Sequence, residues 1–357
     1  MRIVTIGYLH GRGGAERQII MLSNELAKLG HDVHLIILAE WGATYKINNK
    51  VAIHNLTGVE HGKMKIIRRF NILRKELSII KPDISVHYNF QSAYFCAVLP
   101  QKITGRIIFS ERGDPYDKEY SGGLGFIRKI SIPKIDGFVF QSEGARDYFD
   151  ESVKHRSIVI HNPVSIPYRK YSIPKIREKR IINVGRLHPQ KNQHLLIEAF
   201  KKIASKFPKY KLEIYGDGPL HDELQEHINR LGLTSQIAIH KSREDIFDVV
   251  TNASLFVLTS NYEGMPNALM EAMALGVPCI STDCRPGGAR ALIQNEINGI
   301  VTPLRNPEIL AEKMDYMLSN PDIAEQMGVK AQTIIETHRP EEIVKKWEDF
   351  LKMIILS

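Results

Sequence analysis

Two glutamates eight residues apart, Glu263 and Glu271, stand in the stretch VLTSNYEGMPNALMEAMALGVPCISTD (257–283). Between them come Gly264, Met265, Pro266 and Asn267. An apolar run, Leu255 to Leu258, feeds the first glutamate, and Gly276 and Pro278 close the helix that carries the second. Glycine and an early proline let backbone approach a ligand closely. A helix starting near Asn267 offers N–H groups and a positive dipole end to an anion. The two carboxylates can accept hydrogen bonds from neutral hydroxyls on either side of that anion. A sugar nucleotide is laid out in this way: sugar hydroxyls, diphosphate, ribose hydroxyls. The same residues also spell a plain alternative, a buried strand, a turn and a core helix with solvated glutamates.

Arg186 and Lys191, in NVGRLHPQKN (183–192), follow a β-branched run and precede a helix. A fork-shaped guanidinium and a point ammonium at a strand's carboxyl end suit a diphosphate, and fixed cations there stabilise a leaving group as it gains charge. An isolated pair of this kind reads equally as solvated loop cations. The first loop, GYLHGRGGAER (7–17), fits neither G-x-G-x-x-G nor the Walker pattern, leaving a glycine-rich strand-to-helix turn that presents N–H groups to phosphate. His10 and Arg12 in that loop are candidates for an acceptor side, or plain loop side chains. No D-x-D, H-x-x-x-H or H-E-x-x-H spacing occurs, so no metal site is expected.

Four segments in order, G-G-A-E-R (13–17), N-V-G-R-L-H-P-Q-K-N (183–192), Y-G-D-G-P (215–219) and E-G-M-P-N-A-L-M-E-A-M-A-L-G-V-P (263–278), together resemble the nucleotide-sugar-dependent, retaining glycosyltransferases of family 4 across nearly the whole chain. The resemblance implies the GT-B fold: two Rossmann-like α/β domains with parallel sheets facing a central cleft. It implies a donor site of Gly14, Arg186, Lys191, Gly216, Glu263, Gly264, Met265, Pro266, Asn267 and Glu271, with Glu263, Arg186 and Lys191 catalytic. It implies transfer of a hexose or N-acetylhexosamine without a metal or other cofactor, UDP being the commonest donor base in the family. The acceptor implied is a saccharide, lipid-linked, in capsule or lipopolysaccharide assembly. In such relatives retention is ascribed to front-face attack, the leaving phosphate drawing the acceptor proton. Many of them place a histidine after the strand that corresponds to Ile107–Ser110; this chain has S-E-R-G-D-P (110–115) instead. Glu111, Arg112 and Asp114 there either orient an acceptor hydroxyl or brace the loop. Two other readings share the architecture, a sugar-nucleotide epimerase and a non-catalytic sugar-nucleotide sensor. Acceptor-dependent release of nucleoside diphosphate separates the three.

The elements that must position these residues follow from alternation. Short β-branched runs (Ile3–Ile6, Val33–Leu38, Ile84–His87, Ile107–Ser110, Gly137–Gln141, Ser157–Ile160) alternate with helical patterns, which implies a parallel sheet with right-handed crossovers. A second series runs Ile181–Val184, Lys211–Tyr215, Ile237–Ile239, Leu255–Leu258 and Val277–Ser281. Between them HNPVSIPYRKYSIPKIRE (161–178) holds three prolines and no sustained period, which sets a linker and a boundary near residue 170. The expected domains are 1–170 for the acceptor and 171–339 for the donor. A last helix, 340–357, crosses back to the first domain, as in the family.

A chain of 357 residues exceeds one ordinary core. Neither a signal-peptide layout nor a membrane-length apolar run is present, and three cysteines without a C-x-x-C pair fit a reducing cytoplasm. Residues 1–170 hold 25 Lys/Arg against 16 Asp/Glu (+9), and the remainder 23 against 24 (−1). No nucleic-acid motif accompanies this excess, so an anionic inner membrane surface or an anionic substrate is the expected partner. Within 44–80, Ile66, Phe70, Leu73, Leu77 and Ile80 repeat at core-facing helical spacing, and Lys63, Lys65, Arg68, Arg69, Arg74 and Lys75 surround them. The expectation is a cytoplasmic enzyme held peripherally on the membrane through its first half.

Overall fold

The computed structural model describes residues 1–9, 14–38, 45–56, 65–116, 122–164, 166 and 170–357. They form two compact units, Met1–Asn162 with Pro340–Ser357, and Pro163–Arg339.

In the first unit β1 (Arg2–Gly7), β2 (Asp32–Ile37), β3 (Val51–Asn55), β4 (Ile84–His87), β5 (Arg106–Ser110), β6 (Gly137–Phe140) and β7 (Ser157–Val159) make one sheet in the order β3-β2-β1-β4-β5-β6-β7. Every pairing is parallel. β4 and β6 are buried along their whole length, as a sheet covered on both faces requires. Ile19, Leu22 and Leu26 of the helix Gly14–Lys28 share one core cluster with Trp347, Phe350 and Leu351 of the helix Pro340–Leu356. The latter buries Ile343, Val344, Trp347, Phe350, Leu351 and Ile354, a three-to-four-residue repeat that gives one apolar face. A second cluster holds Leu73, Leu77 and Ile80 of the helix Lys65–Ile80 with Phe90 and Phe95. Ile66 departs from its expected core place: it is 50% exposed, because it lies in the first turn of its helix, ahead of the residues that reach this cluster. Lys63 lies outside the described residues, as does the side chain of Lys65.

In the second unit β8 (Glu178–Val184), β9 (Lys211–Tyr215), β10 (Ile237–His240), β11 (Ala253–Leu258), β12 (Cys279–Thr282) and β13 (Ile300–Thr302) are ordered β10-β9-β8-β11-β12-β13, again all parallel. Strand order reverses between β8 and β11. In an open parallel sheet this reversal is the place where ligands bind, outside the carboxyl ends of the strands. Two of the loops singled out from the sequence, 185–192 and 259–266, leave from these two strands. The chain passes between units at Asn162 and Pro163 rather than near residue 170. The reason is apolar: Val164 and Ile166 belong to the second unit's core, and the Val164 N–H donates to the His338 carbonyl at 2.9 Å. Further along the same segment, Arg177 donates to the carbonyls of Thr251 (2.8 Å) and Gly276 (2.6 Å) and pairs with Glu325 (2.6 Å). That fastens the end of the helix Asn267–Ala274.

Candidate functional site

The loop after β8 is fixed by backbone at two points. The Gly185 N–H donates to the Tyr215 carbonyl at 3.0 Å and the Leu187 N–H to the Asp217 carbonyl at 2.9 Å, with the Leu187 side chain fully buried. Gly216 is required by this approach: a Cβ there would lie 1.9 Å from the Gly185 carbonyl oxygen. Arg186, between the two anchors, is exposed, and its guanidinium donates to Gln190 Oε1 at 3.1 Å. Buried Gln193 donates from its amide to the Arg186 carbonyl at 3.0 Å. Asn192 adopts the left-handed conformation (φ 47°) and turns the chain into the helix Gln193–Ile203. Lys191 is thereby aimed at the neighbouring loop, where its Nζ donates to Glu263 Oε1.

The loop after β11 is stitched to the first one. The Asn261 N–H donates to the Gln190 carbonyl (2.7 Å), Gln190 Nε2 to the Tyr262 carbonyl (3.0 Å), and Asn261 Nδ2 to the Pro189 carbonyl (2.8 Å). Thr259 Oγ1 donates to the Lys191 carbonyl at 3.0 Å, and Ser260 Oγ to Glu263 Oε1 at 2.7 Å. From the other side the Glu263 N–H donates to the Arg285 carbonyl at 2.8 Å. Gly288 packs so closely that a Cβ would sit 2.0 Å from the Gly264 carbonyl oxygen. Met265 and Pro266 are buried behind the turn. The helix Asn267–Ala274 then starts with Pro266 at its cap position and no side-chain cap. Asn267 and Glu271 on it are half-buried.

Charge is concentrated and poorly hydrated here. The Glu263 side chain is 8% exposed and that of Lys191 15%, so the pair interacts with little solvent screening. The Cys284 thiol is pushed up to about 12, by burial first and then by the Glu263 carboxylate; it is neutral at physiological pH and no nucleophile. At the neighbouring strand ends Tyr215 and His240 stack at 4.6 Å, and the buried His240 Nε2 has no hydrogen-bond partner. Burial, then the bond to Glu213, pushes the Tyr215 hydroxyl up to about 12.

The other expected residues lie in the first unit. Gly14 is the exposed first residue of the helix Gly14–Lys28; His10 and Arg12 lie outside the described residues. Glu111 and Asp114 are buried, and their contacts brace the loop. Glu111 Oε1 accepts from the N–H groups of Arg112 and Gly113 (3.1 Å each), while Oε2 pairs with buried Arg128 at 3.4 Å. Asp114 Oδ1 accepts from the Tyr116 N–H at 3.1 Å. The Arg112 guanidinium lies over the Tyr88 ring (4.6 Å) and the Trp347 ring (5.5 Å) and donates to Asn162 Oδ1 at 3.1 Å. Among the described residues no group of three or more His, Cys, Asp or Glu side chains is placed to share a metal ion.

Sequence reading passed over Thr259, Ser260 and Thr282, whose hydroxyls hold the Lys191 carbonyl, the Glu263 carboxylate and the Ser260 carbonyl. Their one sequence signal is position: polar residues at or just past the ends of apolar strands β11 and β12, where a parallel sheet presents its ligand edge.

Comparison with known proteins gives this geometry its context. Residues 12–166 match the family described as Glycosyltransferase Family 4, and residues 168–334 the one described as Glycosyl transferases group 1. An Erwinia amylovora protein named amylovoran biosynthesis glycosyltransferase AmsD is 23% identical, over 98% of this chain and 99% of its own. A Campylobacter jejuni α-1,4-N-acetylgalactosaminyltransferase, whose name specifies an undecaprenol-linked saccharide, is 25% identical over 96% of this chain and 95% of its own. The crystal structure of Anabaena HepE in complex with UDP shares the fold at a TM-score of 0.84 and 18% identity, covering 99% of this chain and all of that one. The two matched families, the two parallel Rossmann-like units and the conjoined loops after β8 and β11 agree: this chain belongs to the family 4 glycosyltransferases and is a hexosyltransferase of the GT-B fold.

Proposed function

We propose that the second unit binds a nucleoside-diphosphate sugar, with UDP favoured. The enzyme moves its hexose or N-acetylhexosamine, with retention, to a lipid-linked saccharide during assembly of a surface polysaccharide. The observation that carries this reading is the juxtaposition of exposed Arg186 with the Lys191–Glu263–Ser260 cluster at the carboxyl ends of β8 and β11. Two fixed cations suit a diphosphate, and a carboxylate beside them suits the hydroxyls of the attached sugar. The saccharide acceptor is supported by what the Erwinia and Campylobacter relatives are named for.

In this reading the bond from the anomeric carbon to the phosphate oxygen breaks and a bond from that carbon to the acceptor oxygen forms on the same face. The acceptor proton passes to the leaving phosphate. Arg186 and Lys191 stabilise the negative charge that accumulates there, in a site where preorganised cations are worth most. Glu263 is placed for hydroxyls of a ring that flattens toward a cation, and Glu271 for the ribose. Activity is expected to survive EDTA, since protein cations occupy the role of a divalent ion. Loss of activity restored by Mg²⁺ or Mn²⁺ at saturating donor overturns that part.

Attachment to the inner face of the membrane is part of the same proposal. The first half carries the basic excess, and the helix Gly122–Ser131 exposes Phe126 (66%) and Ile130 (54%) beside Lys129. An apolar and basic face of this kind suits an anionic interface. The deciding experiment is a panel of UDP-, GDP- and ADP-sugars scored for nucleotide release with and without undecaprenol-diphosphate saccharides. Release that is indifferent to every nucleotide sugar in the panel overturns the reading.

A further inference from the structure

Thr259 and Ser260 directly follow β11 as two adjacent hydroxyls with no solvent exposure. A buried hydroxyl must find a partner, and an apolar residue of similar size serves a core at least as well. Here one hydroxyl is spent on the backbone of the charged pair's lysine and the other on its carboxylate. Thr259 Oγ1 holds the carbonyl of Lys191 at 3.0 Å, and Ser260 Oγ holds Oε1 of Glu263 at 2.7 Å. The Ser260 carbonyl is in turn held by Thr282 Oγ1 at 2.7 Å, which ties the end of β12 to the same point. Glu263 Oε1 thus takes both Lys191 Nζ and Ser260 Oγ, whereas Oε2 takes neither.

We propose that Ser260 is a positioning residue for sugar transfer: it pins one carboxylate oxygen of Glu263 so that the other stays presented to a hydroxyl of the donor sugar. The inference rests on the donor-site reading above. Its physical basis is the contrast between the two groups that hold Oε1. Lys191 reaches it on a long stem with several rotors and three donor hydrogens, and the diphosphate competes for that ammonium. Ser260 reaches it with a single short rotor fixed to the end of a central strand, and has no second use. When Lys191 turns to phosphate, the serine bond is what keeps the carboxylate from swinging. Thr259 acts on the same pair from the backbone side, setting where the lysine stem begins.

The test compares the parent enzyme with Ser260→Ala, Ser260→Cys, Glu263→Gln and the double variant Ser260→Ala/Glu263→Gln. It measures the Kd for UDP, GDP and ADP and steady-state kinetics with the preferred nucleotide sugar. Loss of a hydrogen bond to a charged group should lower kcat of Ser260→Ala by roughly tenfold to a hundredfold, with Ser260→Cys between it and the parent. The Kd for the nucleoside diphosphate, which lacks the sugar, should stay within about twofold, and so shows that the variant is folded. The double variant should be no slower than Glu263→Gln alone, because the serine acts through the glutamate. Parent-like kcat in Ser260→Ala, an equal loss of diphosphate affinity and kcat, or multiplying losses in the double variant would each overturn the positioning role while leaving the donor site standing. A parent that binds none of the three diphosphates removes the donor-site reading, and this inference with it.

Discussion

Glu263 and Glu271 should fail differently when neutralised. Contacts that strengthen as the sugar ring flattens affect kcat, whereas contacts equal in ground and transition states affect KM. Glu263→Gln should chiefly lower kcat and disturb discrimination between sugars on one nucleotide; Glu271→Gln should chiefly raise the donor KM. Steady-state kinetics with a matched donor pair decides it, and the assignment is wrong if kcat is unchanged in the first variant or is the sole defect in the second. Arg186 and Lys191 also separate. Either alanine variant should lower transfer at least about a hundredfold, the effect typical of removing one stabilising donor, about 2.7–4 kcal/mol. Only Lys191→Ala should also lower stability, by about 3–5 kcal/mol, since it strands a carboxylate that is 8% exposed. Exposed Arg186 should cost the fold within about 0.5 kcal/mol. Urea titration of both variants checks the contrast. The spacing of Glu263 and Glu271 and the R-x4-K pair were legible as residues. That Lys191 and Glu263 meet, or that Glu111 reaches Arg128 on the helix Gly122–Ser131, was not, because such pairings join segments that no local pattern brings together.

At the scale of elements, the helix Pro340–Leu356 belongs to the first unit and covers its sheet through Trp347, which is 2% exposed. Trp347→Ala should destabilise that unit by about 3–5 kcal/mol. It also removes a ring lying under Arg112. Calorimetry should show one transition falling and the other unmoved; an equal shift in both would mean that the helix is not specific to the first unit. Most strands were legible in the sequence because parallel strands buried on both faces read as β-branched runs. The two that escaped, β3 and β13, are the terminal strands of their sheets. β3 has only Val51 buried and so shows no apolar run, while β13 is a β-branched run of just three residues, Ile300–Thr302. The compact units divide at Asn162–Pro163, a little ahead of residue 170, for a related reason: prolines mark a linker, but Val164 and Ile166 inside it are core residues whose burial no local pattern announces.

At the scale of the whole molecule, charge and chain path carry the consequences. Liposome binding should need anionic lipid and weaken as salt rises, since exposed charges are screened beyond about 8 Å at physiological ionic strength. Phe126→Ser with Ile130→Ser should reduce that binding without altering nucleotide affinity. Co-sedimentation with neutral and anionic vesicles tests this, and equal binding to both removes the peripheral attachment. Among the described residues no helix is long and apolar enough to cross a membrane. The path of the chain has a different outcome. The second unit, Pro163–Arg339, is threaded into the first, which leaves at Asn162 and resumes at Pro340. On the ribosome the earlier unit must therefore wait, with the sheet face that Trp347 will cover still bare, while the intervening segment is made. At roughly 5–20 residues per second that delay lasts on the order of ten to thirty seconds. The inserted unit has its full sequence first, so the unit that is begun first is completed last. A premature stop close to the carboxyl end would then injure the amino-terminal half, and a nascent chain at that stage is a natural client for chaperones.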